Sequence, residues 1–563
     1  MNFNDYEYKR PSEEQYKEQF NQCLEAFQQA DNAQEQVKIL NELDQIRIEA
    51  YSMSAICYIR HSIDTNDTFY KNEQQFMDQF LATFQVLESK LASVLSDSAY
   101  KEELIHNFGE QRFRLAQTQV NTTSNEIFPL LQQENKLISD YNRLIASAKI
   151  PFEGRELTLS ELTPFEQNPD RSIRKKASQA RFDFFAQHEE TLDSLFDELV
   201  QLRTSMAKQL GYKNFVELGY NRMMRTDYNA DMVAGYRKQI QDSVVPLVTK
   251  LYEKQRERTD IDKLKYHDLP YRFKSGNATP KGSPEWIINN GMKMYEELSE
   301  ETHEFFNFMK QNHLMDLESK SGKQQGGYCT FIATHKAPYI FANFNGTSGD
   351  IDVLTHEAGH AFQNYMSRHL QPDYIVPTYE ACEIHSMSME FFTWPWMELF
   401  FKEDTDKYKY AHLSDTIIFL PYGAAVDEFQ HIIYEKPELT PKERKDVWKQ
   451  LEQKYLPHFQ YEDQPYLESG GFWQRQGHIY QQPFYYIDYT LAQICALQFW
   501  KRMQEDQEST WADYVNICRH GGSKAFLELV HIANLTSPFE DACLENIVKQ
   551  AEAYLDSIDD KAL

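Results

Sequence analysis

His356-Glu357-Ala358-Gly359-His360 places two imidazoles four residues apart, with a carboxylate directly after the first. On a helix, residues at i and i+4 share a face, so both rings can reach one metal ion. The HExxH string is a recurring signature of zinc metallopeptidases. Glu357 projects beside the water that such an ion binds. There it can accept a proton as the water attacks a carbonyl. The chemistry predicted is metal-assisted hydrolysis of an amide bond.

A catalytic zinc takes three protein ligands and keeps one position for water. A metzincin-type third histidine would fall at position 366, which is Met366. The remaining route is a carboxylate on a second helix. Pro377 and Thr378 open one, with Thr378 as its candidate cap. Glu380 and Glu383 lie three apart on one face of it, so either can reach the metal. The other would then orient a ligand imidazole. His385 reads as a packing histidine or as a partner behind the ligands. Glu390 reads equally as such a partner or as half of a buried pair.

A second constellation lies at 473–489, where Trp473, His478, Tyr480, Tyr485, Tyr486 and Tyr489 crowd together. A metal alone does not fully stabilise a tetrahedral oxyanion, and a phenol or imidazole donor aimed at that oxygen adds to it. Read without context, such a stretch is core or groove lining. Arg475 has two readings: a grip on a peptide carboxylate, or a surface salt bridge.

At these residues the sequence resembles the thimet oligopeptidase and oligoendopeptidase F family of zinc metallopeptidases. The resemblance rests on HEAGH, then Glu380, Glu383, Ser386 and Glu390 in that order. It extends to Pro338-Tyr339-Ile340, to Asn343 through Thr347, and to Arg174-Lys175-Lys176-Ala177 in the N-terminal half. The bacterial Pz-peptidases, which cleave collagen-derived peptides, are the subgroup it suggests. One departure is Gln363, where many members carry a histidine. The resemblance implies one zinc per chain on His356, His360 and Glu383, with Glu357 as general base. It also implies that His478 binds substrate, and that Tyr489 and Tyr486 are the paired tyrosines facing the metal. The spacing is one residue off, which leaves Tyr485 and Tyr486 both open. The strand Pro338–Phe344 would lie beside the substrate. The implied fold is a mainly helical, two-lobed zincin-type peptidase around a deep channel. Such a channel would admit short unfolded peptides.

Residues 11–145 read as successive amphipathic helices, with Phe76, Phe80, Phe84 and Leu87 as one apolar stripe. Ser12-Glu13-Glu14 predicts a helix start. Residues 151–155 predict a turn and 156–159 a short strand. Helices resume over 170–220 and stop at Gly211-Tyr212. The Pro- and Gly-rich stretch 269–284 predicts a loop or linker. Residues 326–333 and 338–344 predict two strands beside the HExxH helix. The expected domains are a helical lobe over 1–190 and a catalytic region over 191–563.

Bulk properties narrow the function further. A net charge of −28 argues against nucleic acid and anionic membranes as partners. Seven scattered cysteines, with no CxxC, predict no disulfide framework and a reducing compartment. The polar N-terminal sequence has no secretory h-region, and no run of 18 apolar residues occurs. The expected location is the cytoplasm. Two rival functions are a carboxypeptidase or dipeptidase on a related fold, and a metal-free peptide-binding protein.

Overall fold

The structure, a computed structural model, describes residues 1–563 apart from Ser321 and Gln325, and of Asn125 the backbone alone. The fold is mainly helical, as expected, with two small sheets among the described residues. Helices Glu13–Gln29, Ala33–Ile63, Thr68–Ser96, Lys101–Phe108 and Glu110–Thr122 form an N-terminal bundle. The first starts where predicted: the Ser12 side chain accepts from the Gln15 N–H. The stripe holds, since Phe80, Phe84 and Leu87 are buried and Phe76 packs against them. This bundle encloses its own apolar interior, from Phe20 to Ala116. A larger interior holds the rest of the chain together. The expected boundary at 190/191 falls at the start of helix Glu189–Gln209, and the two interiors interleave along the chain, since the larger one also takes in Phe3, Tyr6, Ile56 and Ile59.

A hairpin follows the bundle: β1 (Ile150–Phe152) pairs antiparallel with β2 (Arg155–Leu157) around Glu153 and Gly154, both at positive φ. The predicted turn is therefore tighter than 151–155, and the strand ends at Leu157. Thr158 caps the next helix through a capping box with Glu161.

The second sheet carries the strands beside the HExxH helix. It comprises β3 (Met315–Glu318), β4 (Tyr328–Ile332) and β5 (Ala337–Phe344), in the order β3-β5-β4. β4 and β5 are the two predicted strands, antiparallel, with Cys329 opposite Ile340. β3 was not foreseen; it runs parallel to β5. The strand expected beside the substrate, Pro338–Phe344, is the central one and is bonded on both sides. A free edge therefore belongs to β4 and not to β5.

After β5 the chain turns into the HExxH helix, Gly349–Ser367. Asp350 ties that turn: its carboxylate accepts the Asn345 and Gly346 N–H groups, both at 2.8 Å. The glutamate helix, Tyr379–Phe392, packs against the HExxH helix and against Tyr486–Met503, the tyrosine helix. Gly359 permits this approach. A Cβ there would lie 2.6 Å from the His385 carbonyl oxygen and 2.6 Å from Ser386 Cα. The central glycine of HEAGH is thus a packing requirement as well as part of a motif.

The segment between the HExxH helix and the glutamate helix is tied to the N-terminal bundle. Asp373 accepts from Arg47 Nη2 at 2.6 Å and Nη1 at 2.9 Å, and Arg112 Nε lies 3.1 Å away. Asp44 and Glu88 take the remaining faces of these two buried arginines. Burial opposes the charge on Asp373, but the two guanidiniums outweigh it and hold the carboxyl below its usual range. Gln363, the departure from the family pattern, serves the same segment: its amide donates to the Ile375 carbonyl at 2.9 Å.

Candidate active site

His356 and His360 lie one turn apart on the HExxH helix, with ring centroids 5.1 Å apart and planes at 82°. Glu383 reaches them from the glutamate helix. Its Oε2 is 3.3 Å from His356 Nε2 and 3.4 Å from His360 Nε2. One ligand atom from each of the three residues falls within 4.8 Å of the others. Two imidazole nitrogens and one carboxylate oxygen are a donor set suited to zinc. Burial opposes ionisation of Glu383, but His360 and His356 outweigh it and hold the carboxyl well below the usual range.

The surroundings of these three groups set their directions. Nδ1 of His356 lies 2.7 Å from Glu390 Oε1, so its Nε2 lone pair is left facing Glu383. Glu390 Oε2 lies 2.7 Å from His412 Nε2, and His412 Nδ1 accepts from the Trp394 indole N–H at 3.1 Å. The two readings of Glu390 thus combine: it backs a ligand-type imidazole and is paired in the interior. Ser386 Oγ donates to Glu383 Oε2 at 2.8 Å, and the Tyr485 hydroxyl donates to Glu383 Oε1 at 3.2 Å.

Glu380 points elsewhere. Its Oε1 accepts from the Thr378 hydroxyl at 3.0 Å, and it bonds to neither imidazole. Thr378 therefore spends its side chain on Glu380 and gives no capping bond to the helix. Glu380 is fully buried, and burial with the nearby Asp488 pushes its carboxyl up to about 8. Asp488 accepts from Arg225 Nη2 at 2.6 Å and from the Tyr228 hydroxyl at 3.1 Å. His385 is buried behind the site, with Nδ1 3.4 Å from Cys518 Sγ.

Glu357 is buried, and burial pushes its carboxyl up against the pull of His356 and His360. It faces the start of β4: a Cβ on Gly327 would lie 3.6 Å from Glu357 Oε1. A cavity of about 460 Å³ opens beside the site, bordered by His356, Glu390, His412, His478, Tyr486 and Tyr489. The His478 ring sits 5.7, 5.1 and 5.8 Å from the rings of Tyr485, Tyr486 and Tyr489. The second constellation therefore converges on the metal-type cluster across this cavity. The two candidate tyrosines part company here. Tyr485 touches Glu383, whereas Tyr486 packs its ring against Phe419 and Tyr422. Arg475 is exposed, lies 4.2 Å above the Phe472 ring and makes no ion pair among the described residues. Its salt-bridge reading therefore fails.

His412, Trp394 and Tyr408 were not singled out from the sequence. No spacing rule links them to 356–390. The Tyr408 hydroxyl donates to Asp352 at 2.6 Å, one turn before His356, and its ring stacks on His412.

A helical body that presents an HExxH helix and a carboxylate helix to one cavity defines a peptidase of the metal-dependent kind. The family model described as peptidase family M3 matches residues 165–549, and that of the peptidase M3 N-terminal domain matches residues 3–123. This chain belongs to peptidase family M3. It is 24% identical to the oligoendopeptidase F homolog of Borreliella burgdorferi, over 96% of this chain and 90% of that one. It is 21% identical to the oligopeptidase PepF of Bacillus subtilis, over 94% and 82%. Among solved structures, Pz peptidase A with an inhibitor is 57% identical, covers 99% of this chain and 100% of its own, and superposes with a TM-score of 0.95. The enzyme is a peptidase, and its relatives include oligopeptidases. No helix among the described residues is long and apolar enough to cross a membrane.

Proposed function

We propose that this chain is a zinc-dependent oligoendopeptidase in which His356, His360 and Glu383 hold the ion. The observation that carries the reading is the convergence of three donor atoms within 4.8 Å beside buried Glu357 and an open cavity. When bound, zinc polarises the scissile carbonyl and lowers the pKa of water. Glu357 takes a proton from the attacking water and hands it to the leaving amine; its raised pKa suits both halves of that task. His478 and Tyr489 donate hydrogen bonds to the developing oxyanion. Tyr486 flanks the substrate from the same side, and Tyr485 steadies Glu383.

The free edge of β4 supports a substrate held extended by main-chain hydrogen bonds, which requires little of its side chains. Short unfolded peptides, collagen-derived ones among them, are the proposed substrates. The proposed setting is the cytoplasm, in keeping with seven unpaired cysteines. The proposed division of labour places a helical lobe at 1–190 and the catalytic region at 191–563.

The test is digestion of internally quenched peptides with both ends blocked, with and without a chelator, followed by zinc add-back. Cleavage that is lost to the chelator and restored by zinc is expected. Removal of terminal residues alone, with blocked peptides intact, would replace this reading by an exopeptidase. A dialysed protein with no stoichiometric metal would replace it by a peptide-binding protein.

A further inference from the structure

The Gln476 amide nitrogen lies 2.7 Å from His478 Nδ1, and its amide oxygen lies 2.9 Å from the Tyr422 hydroxyl. A carboxamide nitrogen only donates, and its oxygen only accepts. With the nitrogen facing it, Nδ1 must offer a lone pair. A neutral ring then carries its proton on Nε2.

What orients the amide is Tyr422. The Arg475 guanidinium lies 5.6 Å from the Tyr422 ring, and its positive charge opposes the rise that burial gives the phenol's pKa. An amide oxygen only accepts, so the phenol hydrogen goes to Gln476 Oε1. A reversed amide would face that hydrogen with its own N–H groups. The chain Tyr422, Gln476, His478 thus runs in one donor direction. Burial also lowers the His478 pKa, so the ring is neutral at neutral pH and its tautomer matters. His478 Nε2 has no protein partner among the described residues, and the ring borders the cavity that His356 also borders.

We propose that Gln476 is a positioning residue that fixes His478 as its Nε2–H tautomer, so that the ring presents a donor to the substrate cavity. This rests on the reading of His478 as an oxyanion donor. It adds the device that makes a neutral histidine a donor there in place of an acceptor. It also gives Tyr422 a task, since its hydroxyl meets the Gln476 amide.

The tautomer is read directly in zinc-loaded protein labelled with 15N-histidine, with the His478 signals assigned by their loss in His478→Gln. An unprotonated Nδ1 and a protonated Nε2 are expected. In Gln476→Glu a carboxylate faces Nδ1, and the proton is expected to move there. The same variant should lose about tenfold to a hundredfold in kcat while KM and zinc content stay within about twofold. Tyr422→Phe should lose less. A wild-type His478 protonated on Nδ1 overturns the proposal, as does a Gln476→Glu enzyme with wild-type kcat. If His478→Gln keeps wild-type kcat while Nε2–H is seen, the donor reading falls and the tautomer assignment stands.

Discussion

Glu390 Oε1 lies 2.7 Å from Nδ1 of His356, on the same helix that brings Glu383 to Nε2 of that ring. One imidazole is therefore held from both sides by carboxylates seven residues apart. The Trp394 N–H on His412 Nδ1 directs the His412 Nε2 hydrogen to Glu390, so that carboxylate is itself anchored. Removing Glu390 frees the His356 ring to rotate and lowers its basicity. Glu390→Ala is expected to weaken zinc affinity by about 10–100-fold. Competition with a fluorescent chelator measures this, and unchanged affinity would assign Glu390 to packing alone.

Glu357 makes none of the metal-type contacts, so its loss should separate chemistry from metal binding. Glu357→Gln is expected to lower kcat/KM by about 10²–10⁴-fold with zinc stoichiometry intact. Loss of zinc in that variant would mean that Glu357 holds the ion.

Gly359→Ala places a methyl group 2.6 Å from the His385 carbonyl oxygen, a contact between two helix backbones. The glutamate helix is pinned on its other side by the Tyr485 hydroxyl on Glu383, which resists its withdrawal. A stability loss of about 1–3 kcal/mol is expected, with reduced zinc content. Thermal unfolding and metal analysis check the two effects, and a fully stable, fully loaded variant would refute the close approach.

Glu380 offers a pH test. Its folded carboxyl is pushed up to about 8 from the usual 4.5 by burial and by Asp488. The folded chain then binds the proton more tightly than the unfolded one. This contribution to stability is complete below the ordinary carboxyl pKa and is lost as pH rises through about 8. Glu380→Gln keeps the shape and never ionises. The Tm difference, variant minus parent, should therefore grow by about 1 to 2 °C between about pH 5 and pH 8.5. A flat difference would place the proton elsewhere.

How much of this could be read in the chain follows from the distance over which each signal acts. HEAGH is local: its spacing alone turns two rings to one side, as found for His356 and His360. The choice between Glu380 and Glu383 could not be made from a shared helix face. It depends on what lies opposite, and the structure sets Asp488 opposite one and two imidazoles opposite the other. Tyr485 and Tyr486 were inseparable because a one-residue step at a helix start moves a side chain about 100° around the axis. β3 escaped notice because its four residues have no strand periodicity, and its partner β5 lies over 20 positions on. The resemblance put β5 beside the substrate, and the sheet order that makes β5 its central strand cannot be read from the strand itself. The Glu390–His412 contact needs a third helix, and no short-range pattern announces such a meeting.

Asp373 sits in the chain between the two metal-site helices, yet its charge is balanced by Arg47 and Arg112 from the N-terminal bundle. The enzyme is therefore not modular in the way its two family matches suggest. A fragment beginning after residue 124 would carry every proposed zinc ligand and still leave a carboxylate and the Tyr374 hydroxyl stripped of their partners. Swapping the bundle between relatives would succeed only if the graft brings both arginines with it. The unit of inheritance for this active site is the whole chain.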